Sequence, residues 1–316
     1  MITLRDAVRI LRPRQWVKNL FVFAAGFFTG KLAGVGGFQA ALVFLAFCGT
    51  SSVVYILNDL RDREADRLHP RKKSRPLAAG TMSPREALAV AALCLAAAAA
   101  LLHALTRLPA PPAKLLPVGA VLGGYVLLNL FYSWRGKDIP IIDAFCIAVG
   151  FVLRVIAGAF AVDVPVTGWI IVITFFLSLF LGFGKRRNEV VRFQGEESGV
   201  PPDVRSRHRR VLEKYDPRLL DQIIVATGTL TIVAYSMFCL DPVVVQRYAT
   251  DKLIYTVPFV AYGIFRYLYL LFHNEEGDPT ELITRDAGMI LNAAAWALVT
   301  LVILWGAGGW RGLVHP

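Results

Sequence analysis

Acidic side chains are concentrated in the stretch 58–66, which has the sequence NDLRDREAD and directly follows an apolar run. At 100° per residue, Asp59, Asp62 and Asp66 lie within about 60° of one another on a continuous helix. Carboxylates that converge in this way repel one another unless a cation lies among them. Mg²⁺ suits such oxygen ligands, because proteins hold it through one or two carboxylates together with substrate phosphates and water. A solvated helix end with interleaved arginines is the alternative, and the spacing alone supports both interpretations equally.

The composition is typical of a membrane protein. The chain has 316 residues, of which 56% are hydrophobic. The apolar residues come in blocks of about 20, and a helix of that length spans the roughly 30 Å hydrocarbon layer of a bilayer. We therefore predict an all-α polytopic membrane protein that forms one integral-membrane catalytic domain over residues 1–316. Its nine predicted transmembrane helices are 17–36, 40–57, 86–105, 115–133, 140–161, 168–184, 222–240, 252–272 and 287–307.

The distribution of positive charge predicts the orientation of the chain. The sequence contains 34 lysine and arginine residues and has a net charge of +11. Most of these cations lie on one side of the predicted spans, and the positive-inside rule assigns that side to the cytoplasm. This places the N-terminus in the cytoplasm, the C-terminus outside, and the polar loops at about 58–85 and 185–221 in the cytoplasm. We expect a multi-pass plasma-membrane protein with a site facing the cytoplasm, and no nucleic-acid partner.

Cations and amides surround one tryptophan before the first predicted span, where residues 12–19 have the sequence RPRQWVKN. Such a segment suits anchoring at the membrane surface, where tryptophan and basic residues are enriched. The same residue types also form phosphate-binding sites, because guanidinium and ammonium groups bind phosphate oxygens. Arg14, Lys18 and Asn19 are the candidates for that second role, although residue types alone slightly favour anchoring.

Arg154 lies in the middle of the fifth predicted span. A charged residue at that depth costs about 2.5–3.5 kcal/mol on insertion scales, so it should face a cavity and a counter-charge. The apolar spans offer no carboxylate at matching depth, and Asp143 lies on the same helix face about 16 Å away. We therefore expect Arg154 to contact an anionic ligand, with a structural ion pair as the alternative.

A second basic stretch follows the sixth predicted span, where residues 184–189 have the sequence GKRRNE. If the helix continues, Lys185 and Glu189 share one face, and the simplest interpretation is a surface ion pair worth roughly a few tenths of a kcal/mol. Tyr132 belongs to a polar stripe on the fourth span that should face the bundle interior. Arg266, near a cytoplasmic helix end, is explained by a side chain that extends to the membrane interface.

Taken together, these segments resemble a known family. The spacing NDxxDxxxD after the second span is similar to the UbiA superfamily of intramembrane prenyltransferases, in which this helix holds Mg²⁺ against a diphosphate. The resemblance narrows to the decaprenyl-phosphate phosphoribosyltransferase branch and covers most of residues 5–290. It rests on four further segments, which are 12–20 (RPRQWVKNL), 73–80 (KSRPLAAG), 151–158 (FVLRVIAG) and 184–189 (GKRRNE).

One stretch departs from the superfamily pattern. Most members carry a second Asp-rich motif after the sixth span, where this chain has the cationic sequence KRRNE at 185–189. Asp216 and Asp221 are five residues apart in a later segment and do not restore the motif. Cations at this position suit direct contact with phosphate, and both substrates of the phosphoribosyl branch carry phosphate. The departure therefore weakens a two-metal mechanism and an aromatic acceptor.

The resemblance implies that the chain transfers 5-phosphoribosyl from phosphoribosyl diphosphate (PRPP) to decaprenyl phosphate and releases diphosphate. The product, decaprenylphosphoryl-5-phosphoribose, would serve cell-wall arabinan synthesis. The implied cofactor is Mg²⁺, and the implied partners are PRPP, decaprenyl phosphate and membrane lipids. A homo-oligomer is compatible with the sequence, which leaves the oligomeric state open. The implied catalytic residues are Asp59, Asp62, Lys185 and Arg154, and the implied metal ligands are Asn58, Asp59, Asp62 and Asp66. The implied substrate-binding residues are Arg14, Lys18, Asn19, Tyr55, Asp66, Lys73, Arg75, Tyr132, Arg186, Glu189 and Arg266.

Two other functions stay open at this point. The nearer one is a UbiA-type enzyme that moves a prenyl group from a prenyl diphosphate onto an aromatic or lipid acceptor. The other is a non-catalytic transporter of lipids or anions, which would need neither Mg²⁺ nor diphosphate release. Transporters of this size commonly show broken helices and paired repeats, which the sequence does not reveal.

Overall fold

The computed structural model describes residues 4–68, 72–108, 115–195, 214–273 and 279–306. These residues form α-helices and 3-10 helices and contain no strand, so the predicted all-α fold is confirmed. The described residues form two compact units, which divide between Val166 and Thr167. The single catalytic domain over residues 1–316 stays a prediction. Of the predicted cytoplasmic loop at 185–221, residues 196–213 lie outside the described residues.

The first unit is built from helices of very different lengths. Its described α-helices are α1 (Leu4–Leu11), α2 (Ala24–Phe28), α3 (Val35–Arg61), α4 (Arg63–Leu68), α5 (Pro76–Ala79), α6 (Pro84–Thr106), α7 (Leu115–Trp134) and α8 (Ile142–Val162). Three 3-10 helices interrupt this order, at Pro13–Phe23, Lys72–Ser74 and Gly136–Asp138.

The second unit is simpler. Its described α-helices are α9 (Gly168–Gly195), α10 (Pro217–Leu240), α11 (Pro242–Tyr248), α12 (Val257–His273), α13 (Pro279–Arg285) and α14 (Ala287–Gly306). A 3-10 helix at Lys252–Thr256 leads directly into α12.

Eight helices of the described residues are long and apolar enough to cross a membrane. They correspond to eight of the nine predicted spans and make this a multi-pass membrane protein. These spans are Val35–Arg61, Pro84–Thr106, Leu116–Trp134, Ile142–Val162, Gly168–Val191, Pro217–Leu240, Lys252–His273 and Ala287–Leu304. The count of nine spans, which would include the segment 17–36, and the orientation of the two termini stay predictions.

The first predicted span, 17–36, is the one that differs. The 3-10 helix Pro13–Phe23 covers its first part and the short α2 follows. Three residues per turn bring Trp16, Asn19 and Val22 onto one face of the 3-10 helix, and Asn19 and Val22 are buried there. A 3-10 helix rises about 2.0 Å per residue, so its 11 residues extend about 22 Å, which an α-helix of that length would not reach.

Close backbone contact holds this 3-10 helix in the first unit. A Cβ atom added to Gly158 of α8 would lie 1.8 Å from the Val22 carbonyl oxygen, so only glycine fits there. On α3, Ser52 Oγ accepts a hydrogen bond from Trp16 Nε1 at 3.1 Å. Ser51 Oγ accepts one from Asn19 Nδ2 at 3.3 Å. The 3-10 helix therefore packs against both α3 and α8.

Candidate active site

The acidic stretch lies at the junction of α3 and α4, at the end of a candidate membrane span. Asp59, in the last turn of α3, is 3% exposed. Its Oδ1 accepts hydrogen bonds from Arg12 Nη2 at 2.5 Å and from Arg75 Nη1 at 3.0 Å. A buried carboxylate needs such charged partners, because an isolated charge in a low dielectric is strongly destabilised.

Arg12 reaches Asp59 through an unusual backbone conformation. It lies between α1 and Pro13 with φ 54° and ψ 57°, the left-handed region that non-glycine residues seldom adopt. Its guanidinium also lies over the ring of Tyr55, 5.0 Å from the centroid. The turn at Arg12 therefore directs this side chain at the end of α3.

Asp66 on α4 binds the same arginine as Asp59. It is 1% exposed, and its Oδ2 accepts a hydrogen bond from Arg75 Nη1 at 2.6 Å. Lys72 Nζ lies 3.9 Å from Asp66 Oδ1, and among the described residues that oxygen has no hydrogen-bond partner. One nitrogen of Arg75 thus bridges carboxylates from two helices, and one buried acceptor oxygen is left for a further ligand.

Asp62 does not join this pair, which differs from the predicted convergence of three carboxylates. Both of its oxygens accept hydrogen bonds from Lys137 Nζ at 3.1 Å. The prediction assumed one continuous helix, whereas α3 ends at Arg61, α4 begins at Arg63, and Asp62 lies between them. Within the described ranges, no group of three or more acidic, histidine or cysteine side chains is arranged to hold a metal ion.

Asn58 connects α3 to α7. Its Oδ1 accepts a hydrogen bond from the hydroxyl of Ser133, and Arg61 donates to the Ser133 main-chain carbonyl. These contacts fix the end of α3 against the end of α7. The metal-binding role predicted for Asn58 stays a prediction.

The donor set at this junction fits a Mg²⁺ ion that is completed by phosphate oxygens. Asp59 and Asp66 both contact Arg75 Nη1, and Asp66 Oδ1 is buried without a hydrogen-bond donor. Mg²⁺ usually takes one or two carboxylates plus phosphates and water, and it does not need an all-protein cage. The residues present therefore suit a site of two carboxylates and a phosphate ligand.

Arg154 forms the centre of a separate buried cluster in the first unit. It is 5% exposed, and all three hydrogen bonds that the structure gives it go to neutral acceptors. Nε donates to Asn19 Oδ1 at 2.8 Å, Nη1 to the Gly150 carbonyl at 2.7 Å, and Nη2 to Tyr125 Oη at 3.0 Å. Its guanidinium also lies 5.6 Å from the ring centroid of Phe47, 4.7 Å from that of Tyr125 and 5.3 Å from that of Phe151. Aromatic faces stabilise a desolvated cation. Among the described residues the structural ion pair is not formed, and the contact of Arg154 with an anionic ligand stays a prediction.

The other predicted site residues of the first unit lie on four elements. Arg14 and Lys73 are exposed, on the first and second 3-10 helices respectively. Lys18 follows on the first 3-10 helix, Tyr55 lies on α3 beneath Arg12, and Tyr132 lies on α7; these three are partly buried. Their substrate-binding roles stay predictions.

In the second unit, α9 continues through 184–189 without interruption. Glu189 forms an ion pair with Arg186 and lies 4.0 Å from Lys185 Nζ, as the predicted i,i+4 spacing indicates. Arg187 instead donates to Asp221 Oδ1 at 2.8 Å and lies over the ring of Phe272. The phosphate-binding roles of Lys185 and Arg186 stay predictions.

Arg266 of the second unit has a carboxylate partner. It donates from Nε and Nη2 to the two oxygens of Asp286 at 3.2 and 2.8 Å. Asp286 Oδ1 also accepts from the Met289 backbone N–H at 2.8 Å, so it caps α14. The hydrogen bond from Arg266, followed by that from Met289, lowers the pKa of Asp286 from its usual value. The substrate-binding role predicted for Arg266 stays a prediction.

Three cations at the acidic junction were not predicted: Arg12, Lys72 and Lys137. The available signal was electrostatic, since acidic groups at a membrane surface require neutralising charges. The sequence does not indicate which cations supply that charge, because Lys137 is 75 residues from Asp62 and only the packing of the helices brings them together.

The fold and the site define a polytopic α-helical membrane protein with a carboxylate pair at the end of one candidate span. The chain belongs to the UbiA prenyltransferase family, whose model matches residues 19–292. The decaprenyl-phosphate phosphoribosyltransferase of Corynebacterium glutamicum is 31% identical over 94% of this chain and 86% of that protein. The protein of the same name from Mycolicibacterium smegmatis is 30% identical over 92% of this chain and 89% of that protein.

A solved structure supports the fold. A UbiA homologue from Archaeoglobus fulgidus, bound to GPP and Mg²⁺, superposes with a TM-score of 0.67 at 21% identity. The match covers 95% of this chain and 99% of that chain. The UbiA-like bundle expected from the sequence is thereby confirmed.

Proposed function

We propose that this protein transfers the 5-phosphoribosyl group of PRPP to a polyprenyl phosphate, decaprenyl phosphate in particular, and releases diphosphate. The observation that carries the proposal is the buried Asp59–Asp66 pair, with Arg12, Arg75 and Lys72 around it. Two carboxylates and several cations suit a divalent ion together with a polyphosphate. The likeness to enzymes named decaprenyl-phosphate phosphoribosyltransferase over more than nine-tenths of the chain supports this substrate pair.

In this proposal Asp59 and Asp66 hold the metal ion, and Arg75 and Arg12 lie beside it to bind the diphosphate of PRPP. A bound Mg²⁺ would neutralise charge on the departing diphosphate. The guanidinium groups provide hydrogen-bond donors in a planar arrangement that matches phosphate oxygens. Because Asp59 and Asp66 are nearly fully buried, these interactions act in a low dielectric, where they are stronger than in water.

The transfer itself needs little acid–base chemistry. One oxygen of the acceptor phosphate forms a bond to C1 of the ribose while the bond from C1 to the diphosphate oxygen breaks. The acceptor phosphate is already an anion near neutral pH, so no side chain has to remove a proton from it. Rate acceleration would come from positioning and from stabilisation of the leaving diphosphate.

The acceptor explains why such an enzyme is a membrane protein. A polyprenyl phosphate has its chain in the lipid and its phosphate at the membrane surface, and Asp59 lies in the last turn of a candidate span. We propose a location in the plasma membrane with this end of α3 on the cytoplasmic side, where PRPP is made.

The proposal is tested with the purified full-length protein in lipid vesicles. Ribose-labelled PRPP, decaprenyl phosphate and Mg²⁺ should give label in the lipid fraction and an equal amount of released diphosphate. The matched reaction contains labelled prenyl diphosphate and 4-hydroxybenzoate in place of the two substrates. Label transferred only in the matched reaction would contradict phosphoribosyl transfer and identify a prenyltransferase, and no transfer in either reaction would contradict the proposal as well.

A further inference from the structure

The arginine that joins the two buried carboxylates occupies one oxygen of each, and a metal ion would bind the same two groups. Arg75 Nη1 donates to Asp59 Oδ1 at 3.0 Å and to Asp66 Oδ2 at 2.6 Å. Asp59 is 3% exposed and Asp66 is 1% exposed. Arg75 Nη1 therefore links α3 to α4, two helices that are separate because the chain leaves the helical conformation at Asp62.

The positive charges around this pair already exceed the negative ones without a further cation. Arg12 also pairs with Asp59 Oδ1, and Lys72 Nζ lies 3.9 Å from Asp66 Oδ1. Three positive side chains thus surround two negative ones. A divalent cation that arrives alone has to compete with Arg75 for both carboxylates and leaves a guanidinium without its partners. That exchange is unfavourable, because a partly buried charge without a partner is destabilised.

A diphosphate changes this balance. It brings several negative charges and acceptor oxygens, so a guanidinium displaced from Asp59 and Asp66 gains new partners of the geometry that it binds best. The metal ion then takes the two carboxylates and the phosphate oxygens together. Each ligand therefore removes the cost of binding the other.

We propose that Arg75 makes the binding of metal ion and diphosphate mutually dependent, so that the site selects the metal–diphosphate complex over the free metal ion. The inference rests on the proposed function only for its choice of diphosphate as the anion. Such coupling is reciprocal: the factor by which diphosphate raises metal affinity equals the factor by which metal raises diphosphate affinity.

The test measures binding to the purified full-length protein, with Mn²⁺ as a spectroscopic substitute for Mg²⁺. Free Mn²⁺ is quantified by electron paramagnetic resonance without diphosphate. Binding of radiolabelled inorganic diphosphate is measured by equilibrium dialysis at a fixed excess of Mn²⁺. In Arg75→Gln, Mn²⁺ alone should bind about tenfold more tightly, and diphosphate with Mn²⁺ about tenfold more weakly, since a charged hydrogen bond contributes at least that factor.

Arg67→Gln is the matched control, because it removes the same charge from the neighbouring helix. Arg67 pairs with the exposed Glu64 and contacts neither buried carboxylate in the structure. Its two affinities should stay within about twofold of wild type, as expected for an exposed ion pair. An equal increase in Mn²⁺ affinity in both variants would assign the effect to general electrostatics and overturn the proposal.

The two changes in Arg75→Gln have opposite signs, which separates coupling from a purely structural role. A variant that binds Mn²⁺ alone no better, or that binds both ligands more weakly, overturns the proposal. Arg75→Lys is measured as well, in case the glutamine variant does not fold, because lysine keeps the positive charge but lacks the planar guanidinium. Its Mn²⁺ affinity should rise and its diphosphate affinity should fall, both by less than in Arg75→Gln. Normal coupling without phosphoribosyl transfer would refute the proposed function alone, and normal transfer without coupling would refute this inference alone.

Discussion

The hydrogen bond between Arg154 and Asn19 is expected to hold the 3-10 helix in place, and a double-mutant cycle measures its strength. Arg154 Nε donates to Asn19 Oδ1 at 2.8 Å, and the two residues are 135 positions apart in the chain. They are 5% and 0% exposed, so water does not replace the bond when one partner is lost. The perturbations are Arg154→Met, Asn19→Ala and the combination of the two.

The magnitudes follow from the contacts. A hydrogen bond to a charged group contributes about 1.5–3 kcal/mol, and this is the coupling energy that the cycle should return. Arg154→Met also loses the bonds to Tyr125 and Gly150, and we expect a total loss of about 3–5 kcal/mol, as for removal of one member of a buried polar pair. Asn19→Ala also loses its bonds to Ser51 and Cys48, for a total of about 3 kcal/mol.

The assay is equilibrium unfolding in mixed dodecyl maltoside and dodecyl sulfate micelles, followed by tryptophan fluorescence. Thr229→Ala is the control, because its exposed hydroxyl bonds only to a carbonyl of its own helix, Val225. A coupling energy below about 0.5 kcal/mol, the size expected for independent sites, would refute the idea that this bond fixes the 3-10 helix. An Arg154→Met variant as stable as wild type would instead favour the expectation that Arg154 serves an anionic ligand.

Three further predictions concern the carboxylate pair, the helix contact and one surface ion pair. Asp59→Asn should lower phosphoribosyl transfer at least about 100-fold without loss of membrane insertion, because a metal ligand and its charge are removed together. The control is Glu64→Gln, which removes an exposed carboxylate. Full activity of Asp59→Asn would contradict the metal assignment. Gly158→Ala should lower the free energy of unfolding by about 1–3 kcal/mol, because the new Cβ would lie 1.8 Å from the Val22 carbonyl oxygen and the backbone has to shift. Unfolding in mixed micelles measures this loss, and an unchanged unfolding midpoint would contradict the close contact. The pKa of Asp286 is lowered in the folded protein, so its ion pair with Arg266 contributes stability above the unfolded value of about 3.9 and loses it as pH falls through the lower folded value. The difference in melting temperature between wild type and Asp286→Asn should therefore shrink between about pH 5 and pH 3, and a difference that is independent of pH would contradict this assignment.

The helical spans could be predicted because their signal is local. A block of apolar residues long enough to cross a bilayer carries its own evidence, and eight predicted spans correspond to helices of the structure. The segment 17–36 differs from the prediction, because its apolar length indicates a transmembrane α-helix, whereas the structure forms a 3-10 helix and the short α2 there. The structure gives it the period of three that places Trp16, Asn19 and Val22 on one face.

The acidic site was predicted in part for the same reason. Asp59 and Asp66 are seven residues apart, a spacing that predicts one side of a continuous helix, and both are buried beside Arg75 although they lie on two helices. Asp62 diverged because the helix is interrupted at that residue, and a break of this kind carries no clear sequence signal here.

The sequence by itself therefore determined the class of fold and the family, and it predicted a site at the end of α3, because all three depend on residue types within short windows. The tertiary structure decided which cation neutralises which carboxylate, and it gave Arg154 the amide of Asn19 and the ring of Tyr125 as partners. The physical reason is that buried charges take whichever partners the packing of helices brings within about 3 Å, and those partners lie far apart along the chain.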